Sequence, residues 1–212
     1  MDTKIKKILK ILNELYPDPK TELRFKNHFE LLIATILSAQ TTDKQVNKVT
    51  EKLFAKYPSA KEMAFLSPEE LEREIKNCGL FRNKSKSIVQ TSKRIMNNYE
   101  GSVPDSLEEL MRLPGVGRKT ASVVLANAFN IPAFPVDTHV YRVSRRLGLA
   151  RGKTPLAVEV ELRDRIPEAL WNKAHHWLIG HGRNVCTARN PKCPECPLVQ
   201  LCETGKINLS KE

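Results

Sequence analysis

Apolar residues recur every three or four positions along most of this chain, which is the spacing of one face of an α-helix. A first helix is predicted from the apolar positions 5, 8, 9, 11, 12 and 15. The next segment, HFELLIATILSAQ, is apolar almost all round, as is typical of a helix buried in a core. TTDKQVNKVTEKLFAKYP follows with its own apolar stripe, a cap at Thr41 or Thr42 and a stop at Pro58. The alternation of apolar and polar residues that marks strands is nearly absent.

Capping signals mark further helices. Ser67 and Ser106 are each followed three residues later by glutamate, so helices are predicted from them to Gly79 and to Pro114. Others are predicted over 82–98, from about 118 to near 132, from 137, from 154 to 167 and over 168–181. These short, capped helices predict a compact all-α protein.

The chain carries 35 Lys and Arg against 24 Asp and Glu, a formal net charge of +11 that is spread along the sequence. This charge favours a polyanionic partner, most often nucleic acid, although a protein that is merely basic has the same composition. No window approaches the roughly 18 to 20 apolar residues of a membrane span. The first helix is amphipathic and differs from a signal peptide. We therefore expect a cytosolic protein with reduced thiols.

Four of the five cysteines crowd into the last part of the chain with the spacing C-x6-C-x2-C-x5-C, at Cys186, Cys193, Cys196 and Cys202. The loop around them has too little apolar content to pack alone, so a metal centre is expected to stabilise it. Two disulfides are the alternative, which a reducing compartment disfavours. Zinc and an iron–sulfur cluster both accept four thiolates, and the single C-x2-C pair favours the wider cluster. Cys78 is predicted to be a small buried hydrophobe.

The segment LPGVGRKTA, residues 113–121, predicts a turn between two helices. Gly115 and Gly117 permit backbone angles closed to other residues, and without side chains they let an anion approach the peptide N–H groups. The next helix begins at about Arg118, so its positive dipole end faces the same place. The turn is therefore a candidate phosphate site, with an ordinary glycine-containing turn as the alternative.

Lys119 lies where the field of the helix N-terminus repels a cation. Together with partial burial, this field would favour the neutral amine, which is a nucleophile able to form a Schiff base. A simple phosphate contact is the alternative. Asp137, eighteen residues later, begins a helix and has the position of an N-cap. The separation of eighteen residues would also allow the chain to return across the intervening helix, so that Asp137 faces Lys119.

Taken together, LPGVGRKTA, the Asp137 of PVDTHV, the cysteine spacing and the early segment LSAQTTD resemble the endonuclease III family, DNA base-excision glycosylases with lyase activity. The resemblance extends from the first helix to about Cys202. It implies a two-lobed, all-α helix-hairpin-helix DNA glycosylase fold with DNA bound between the lobes. A six-helix barrel would cover 22–132, with the hairpin at about 106–129. A cluster domain would join 1–21 to 133–212 and contain the four-cysteine loop 186–202.

The resemblance further implies that the four cysteines hold a [4Fe-4S] cluster, which orders a basic loop containing Arg189 and Lys192 near the DNA backbone. Gly115, Val116, Gly117 and Arg118 would contact DNA. Gln40 and Leu80 would fill the base stack after the damaged nucleotide is turned out. Their local pattern alone indicates instead a glutamine at a helix end and a leucine in the core.

The implied activity is removal of oxidised pyrimidines, with Lys119 attacking C1′ of the sugar and Asp137 assisting, followed by strand cleavage through β-elimination. The implied partner is double-stranded DNA with damaged bases or abasic sites, bound by a monomer in the cytoplasm with the nucleoid. A monofunctional mismatch- or adenine-type glycosylase is one alternative, although those relatives have another residue at the position of Lys119. A non-catalytic helix-hairpin-helix DNA-binding protein with zinc is the other. An electron carrier is disfavoured because such proteins are usually small and acidic.

Overall fold

The computed structural model describes residues 2–210, and in this range every regular element is a helix, which confirms the all-α class. The described residues form twelve α-helices and two short 3-10 helices. None of these helices has the length and apolar content needed to cross a membrane. The α-helices are α1 Thr3–Leu15, α2 His28–Ser38, α3 Asp43–Lys56, α4 Ala60–Ala64, α5 Pro68–Ile75, α6 Phe81–Asn98, α7 Leu107–Arg112, α8 Arg118–Ala128, α9 Thr138–Leu147, α10 Pro155–Arg165, α11 Trp171–Asn184 and α12 Glu203–Leu209.

The chain divides into two compact units, Thr21–Ile131 and the pair Met1–Lys20 with Pro132–Glu212. In the first unit, α2 is buried continuously from Phe29 to Leu37 and packs against α3, α6 and α8. Helices α4 and α5 also pack against α6. The prediction that HFELLIATILSAQ forms a buried helix is confirmed, because apolar residues on every face need neighbours on every side.

The second unit is built around α9 and α11, with α1 against α11 and α12 against α9. Its core contains apolar side chains of these helices and of the segment before α9, among them Leu12, Phe134, Val143 and Leu178. Both tryptophans of α11 belong to this core. Their indole N–H groups donate to backbone carbonyls, so the buried polar atom of each is satisfied.

Two short helices were not predicted, and several predicted helix ends were wrong by three or four residues: α8 ends at Ala128 rather than near 132, and α11 covers Trp171–Asn184 rather than 168–181. Helix α4 begins with a capping box of Ser59 and Glu62, a signal present in the sequence. Helix α12 follows directly after Cys202. Helix α5 ends at Ile75 rather than at Gly79. Gly79 does not stop this helix; it lies against another turn, where a Cβ atom would come within 2.9 Å of the Gln40 carbonyl oxygen.

Candidate functional site

The LPGVGRKTA turn joins α7 to α8 and is held from α6. Thr91 Oγ1 donates to the Pro114 carbonyl at 2.7 Å, and the Val116 side chain is buried. Gly115 has φ of 77°, in the left-handed region that glycine enters without a Cβ clash. The turn is thus anchored by Thr91 and Val116, and its glycines lie exposed at the surface.

Gly117 is the N-cap of α8 and offers no side chain to the first-turn N–H groups, and no acidic residue lies in that first turn. Helices usually begin with Ser, Thr, Asp or Asn, whose oxygen covers one of these groups. A helix start with a glycine cap and no acidic residue keeps its positive end available to an external anion. The predicted phosphate site therefore has the local structure that it needs.

Replacing Gly117 with alanine separates binding from folding. No atom lies within 4 Å of a Cβ placed at Gly117, so the folded protein accommodates alanine. We expect Gly117→Ala to leave Tm unchanged or slightly higher. If phosphate approaches this backbone, the same change weakens duplex DNA binding by about tenfold, or about 1.4 kcal/mol, as measured by fluorescence anisotropy. Wild-type affinity in Gly117→Ala would contradict the phosphate site.

Gly115→Ala is the contrasting variant. Its Cβ would meet Ser87 Cβ at 2.7 Å on a backbone with φ of 77°. We expect a lower Tm because the left-handed conformation alone costs an alanine roughly 1 to 2 kcal/mol. Comparison of the two variants distinguishes loss of the phosphate contact from loss of the turn itself.

Lys119 is the second residue of α8, and its side chain is exposed. The predicted partial burial is therefore wrong, because the first turn of α8 lies at the protein surface. The field of the helix N-terminus still acts on the lysine, and no acidic side chain in the first turn offsets it. The local feature that distinguishes Lys119 is thus its place at the positive end of α8.

Asp137 caps α9, as its position predicted: its Oδ1 accepts a hydrogen bond from the Val140 N–H at 2.8 Å. The segment before it is anchored by α11, where His175 Nδ1 lies 2.8 Å from the Pro135 carbonyl oxygen. His139 lies in the first turn of α9, with Nδ1 3.2 Å from Nη2 of Arg142. Asp137 belongs to the second unit and Lys119 to the first, so their facing each other stays a prediction.

His176 is a neighbour of Asp137 that the sequence pattern did not single out. Burial lowers the pKa of His176 to about 4; nearby Arg183 lowers it too, and Asp137 opposes the shift. The imidazole is therefore neutral near pH 7.

Gln40 and Leu80 have an uncommon backbone conformation in common, with φ of 54° and 59°. Leu80 is 52% exposed, so the alternative of a core leucine is wrong. Gln40 lies just beyond the end of α2 and is also exposed. The two turns touch, because Gly79 N donates to Thr41 Oγ1 at 3.0 Å. The structure thus brings Gln40 and Leu80 onto adjoining surface turns.

The four clustered cysteines line one small pocket, walled by residues of α9, α11 and α12. All the described cysteines are free thiols, which rules out the disulfide alternative in this structure. Cys78 is only 1% exposed, as predicted, although it lies in the turn after α5 rather than in a helix. The loop therefore brings four thiols together at one pocket.

Hydrogen-bond donors surround these sulfurs. Asn208 Nδ2 donates to Cys193 Sγ at 3.2 Å, Gly205 N to Cys202 Sγ at 3.2 Å and Arg146 Nη1 to Cys186 Sγ at 3.4 Å. Such donors stabilise the thiolate form that a cluster requires. Arg146 also donates to the carbonyls of Thr187 and Ala188, at 2.7 and 2.9 Å, and so braces the exposed loop that carries Arg189 and Lys192.

The chemistry of this ligand set fits an iron–sulfur cluster better than a single metal ion. Burial raises the pKa of Cys196 and Cys202, and the neighbouring thiols raise it further, so four thiolates here need compensating positive charge. Within residues 2–210, no three Cys, His, Asp or Glu side chains form a site for one metal ion. This spacing disfavours zinc, whereas a [4Fe-4S] cluster distributes four cysteine ligands around a wider group.

Residues 186–202 match the iron-sulfur binding domain of endonuclease III. The chain therefore carries a [4Fe-4S] cluster in this C-terminal region, and Cys186, Cys193, Cys196 and Cys202 are its candidate ligands. Bound there, it supplies a covalent cross-link that orders the loop between these cysteines.

Residues 33–168 match the family described as HhH-GPD superfamily base excision DNA repair protein. Endonuclease III of Rickettsia felis is 49% identical over 199 residues, which are 94% of this chain and 93% of that protein. Endonuclease III of Bacillus subtilis is 48% identical over 196 residues, 92% and 90% of the two chains. A solved structure of a trapped endonuclease III–DNA covalent intermediate has a TM-score of 0.93 at 47% identity, covering 99% of this chain and 100% of that chain. The chain belongs to the endonuclease III family of base-excision DNA repair proteins.

Proposed function

We propose that this chain removes oxidised pyrimidine bases from double-stranded DNA and then cleaves the strand at the resulting abasic site. Family membership supports a DNA glycosylase with lyase activity. The observation that carries the proposal is the position of Lys119, which follows the glycine-capped phosphate turn within the first turn of α8. A monofunctional glycosylase does not require an amine nucleophile at this position.

Binding begins at the hairpin. The N–H groups around Gly115, Val116, Gly117 and Arg118 receive a backbone phosphate, and the net charge of +11 attracts the DNA from a distance. This contact carries no sequence information, which suits an enzyme that must find a lesion in any sequence context.

Base removal follows when the damaged nucleotide has left the stack. Exposed Gln40 and Leu80 enter the space that it vacates and offset part of the unstacking cost. The neutral amine of Lys119 attacks C1′, the bond from C1′ to the base breaks, and its electron pair leaves with the base, which takes up a proton. The Asp137 carboxylate stabilises the positive charge that develops on the sugar, or helps to activate the amine.

The covalent amine then opens the sugar ring and becomes a Schiff base at C1′. Loss of a C2′ proton forms a carbon–carbon double bond and breaks the C3′–O bond, which cleaves the strand on the 3′ side. Water hydrolyses the Schiff base and frees Lys119. A relative solved as a covalent intermediate with DNA supports this sequence of steps.

The two compact units correspond in this proposal to the barrel domain, about 22–132, and to the cluster domain, 1–21 with 133–212. We place the protein, as a monomer, in the cytoplasm with the chromosome.

A panel of matched duplexes tests the substrate class. They contain thymine glycol, dihydrouracil, 8-oxoguanine, uracil or an abasic site at one position. We expect base release and strand cleavage with the two oxidised or reduced pyrimidines, cleavage at the abasic site, and neither reaction with uracil or 8-oxoguanine. Base release without cleavage would support the monofunctional alternative. Salt-dependent binding without either reaction would support the non-catalytic alternative.

A further inference from the structure

We propose that Lys84 is a positioning residue that holds Gln40 and Leu80 in a fixed relation to each other, with Thr41 as the link between their two turns. The inference rests on the function proposed above for Gln40 and Leu80, the filling of the vacated base stack.

Lys84 lies in α6 and is 5% exposed. Its ammonium group donates to the Leu37 carbonyl at 2.8 Å and the Ala39 carbonyl at 2.6 Å. A third hydrogen bond reaches Thr41 Oγ1 at 3.1 Å. These bonds use all three ammonium protons on neutral oxygens.

Burial lowers the pKa of Lys84, because the charged form loses water there. A leucine or methionine would fill such a position without a desolvation penalty. A lysine at this position therefore lowers the stability of the fold unless its three hydrogen bonds offset the desolvation penalty. Those bonds hold the turn that contains Gln40.

The oxygens that Lys84 binds flank Gln40 on both sides. Ala39 precedes Gln40 and Thr41 follows it, so the backbone of Gln40 is held in its left-handed conformation while its side chain stays exposed. A non-glycine residue in this conformation costs of order 1 to 3 kcal/mol and persists where its surroundings determine it. Lys84 supplies those surroundings.

Lys84 is connected to the Leu80 turn by two sets of hydrogen bonds. Its backbone N–H donates to the Leu80 carbonyl at 3.0 Å in the first turn of α6. Its side chain binds Thr41 Oγ1, which also accepts from Gly79 N, next to Leu80, at 3.0 Å. Gly79 approaches Gln40 so closely that a Cβ would lie 2.9 Å from the Gln40 carbonyl oxygen. Lys84 and Thr41 thus tie the two left-handed turns into one rigid surface.

Such rigidity has a function if Gln40 and Leu80 enter the same gap in a duplex. Side chains that are already placed lose less conformational entropy when they bind. A misplacement of about 1 Å at a reacting complex can lower the rate by about a hundredfold.

The test uses the full holoenzyme and four single variants. Lys84→Met keeps the aliphatic stem and removes the ammonium, and Lys93→Met removes the same charge from an exposed position on the same helix. Thr41→Val removes the linking hydroxyl, and Thr41→Ser restores it. Single-turnover release of dihydrouracil gives the rate. Fluorescence of 2-aminopurine opposite a non-cleavable abasic analogue gives the change in stacking at saturating protein.

We expect Lys84→Met and Thr41→Val to release the base about ten to a hundredfold more slowly, with a smaller fluorescence change on saturation. Lys93→Met and Thr41→Ser are expected to stay within about twofold of wild type in both measurements. If Lys84→Met fails to fold, the comparison of Thr41→Val with Thr41→Ser still tests the proposal, because both variants keep the lysine. Equal rates and equal fluorescence changes for Thr41→Val and Thr41→Ser would overturn the proposal.

A double-variant background separates this inference from the proposed function beneath it. If Lys84 acts only by positioning the Gln40 and Leu80 side chains, its ammonium group should have little effect in a Gln40→Ala, Leu80→Ala protein, which lacks both side chains. Adding Lys84→Met should then slow base release by no more than about twofold. An undiminished loss in that background overturns the positioning role while the stack-filling role stands. Wild-type rates for the Gln40→Ala, Leu80→Ala protein itself would instead refute the stack-filling role, and the inference with it.

Discussion

Lys119→Ala is expected to form no trapped adduct when the protein is mixed with abasic duplex and borohydride. The adduct requires a Schiff base that the reductant converts into a stable amine, and alanine has no nitrogen to form it. Strand cleavage by β-elimination should fall at least about 10⁴-fold, the scale of loss when a covalent nucleophile is removed. Denaturing gels measure both products in one reaction.

Lys119→Arg is the matched variant because arginine keeps a long basic side chain but stays protonated and does not act as a nucleophile. We expect it to be as inactive as Lys119→Ala and to bind a non-cleavable abasic analogue with nearly wild-type affinity. Lys93→Ala, at an exposed position of α6, should trap and cleave normally. Efficient trapping by Lys119→Ala would place the nucleophile elsewhere and leave Lys119 as a phosphate contact.

Asp137→Asn should release dihydrouracil about 10² to 10³-fold more slowly than wild type, the range seen when a group that stabilises transition-state charge is lost. Tm should change little, because asparagine caps helices about as well as aspartate and keeps an oxygen for the Val140 N–H. Single-turnover kinetics and thermal unfolding of the same preparation give the two quantities.

Asp137→Ala provides the comparison, since it removes the charge and the cap together. We expect a similar loss of rate, now with a stability loss of about 1 kcal/mol. Wild-type kinetics in Asp137→Asn would show that Asp137 only caps α9.

Borohydride trapping of Asp137→Asn on an abasic duplex distinguishes the two proposed roles of this carboxylate. Trapping should persist if Asp137 stabilises charge during base loss, because that step has already occurred in the substrate. It should fall if Asp137 activates the Lys119 amine. Because the asparagine variant keeps the N-cap of α9, a change in trapping reports the loss of the carboxylate charge and not the loss of the cap.

Much of the helical framework was predictable because its signals are local. The capping boxes that begin α4 and α5, and the caps Thr42 and Asp137, are hydrogen bonds between residues at most three positions apart. The burial of α2 was predictable for a related reason: a helix without a polar face has no stable place at a surface. Cysteine spacing likewise predicted that four sulfurs would lie together, since they belong to one short loop.

Other features depend on how residues that are far apart in the sequence pack together, which no local pattern predicts. The exposure of Lys119 follows from where the first turn of α8 meets the surface, and the partial burial predicted for it was wrong. Leu80 has the pattern of a core leucine, yet a left-handed turn places it outside the core. In FRNKSKSI, Lys84 is one of several polar positions, and its partners Leu37 and Ala39 lie 47 and 45 residues away.

The sequence by itself determined the all-α class, the glycine turn before α8, the Asp137 cap and the four-cysteine loop. Each depends on side chains and backbone groups within a few residues of one another. Only the tertiary structure decided that Gln40 and Leu80 share one surface and that Lys84 and Thr41 hold it. Hydrogen bonds between distant segments exist only after the helices have packed, because packing alone brings a buried ammonium group to the end of another helix.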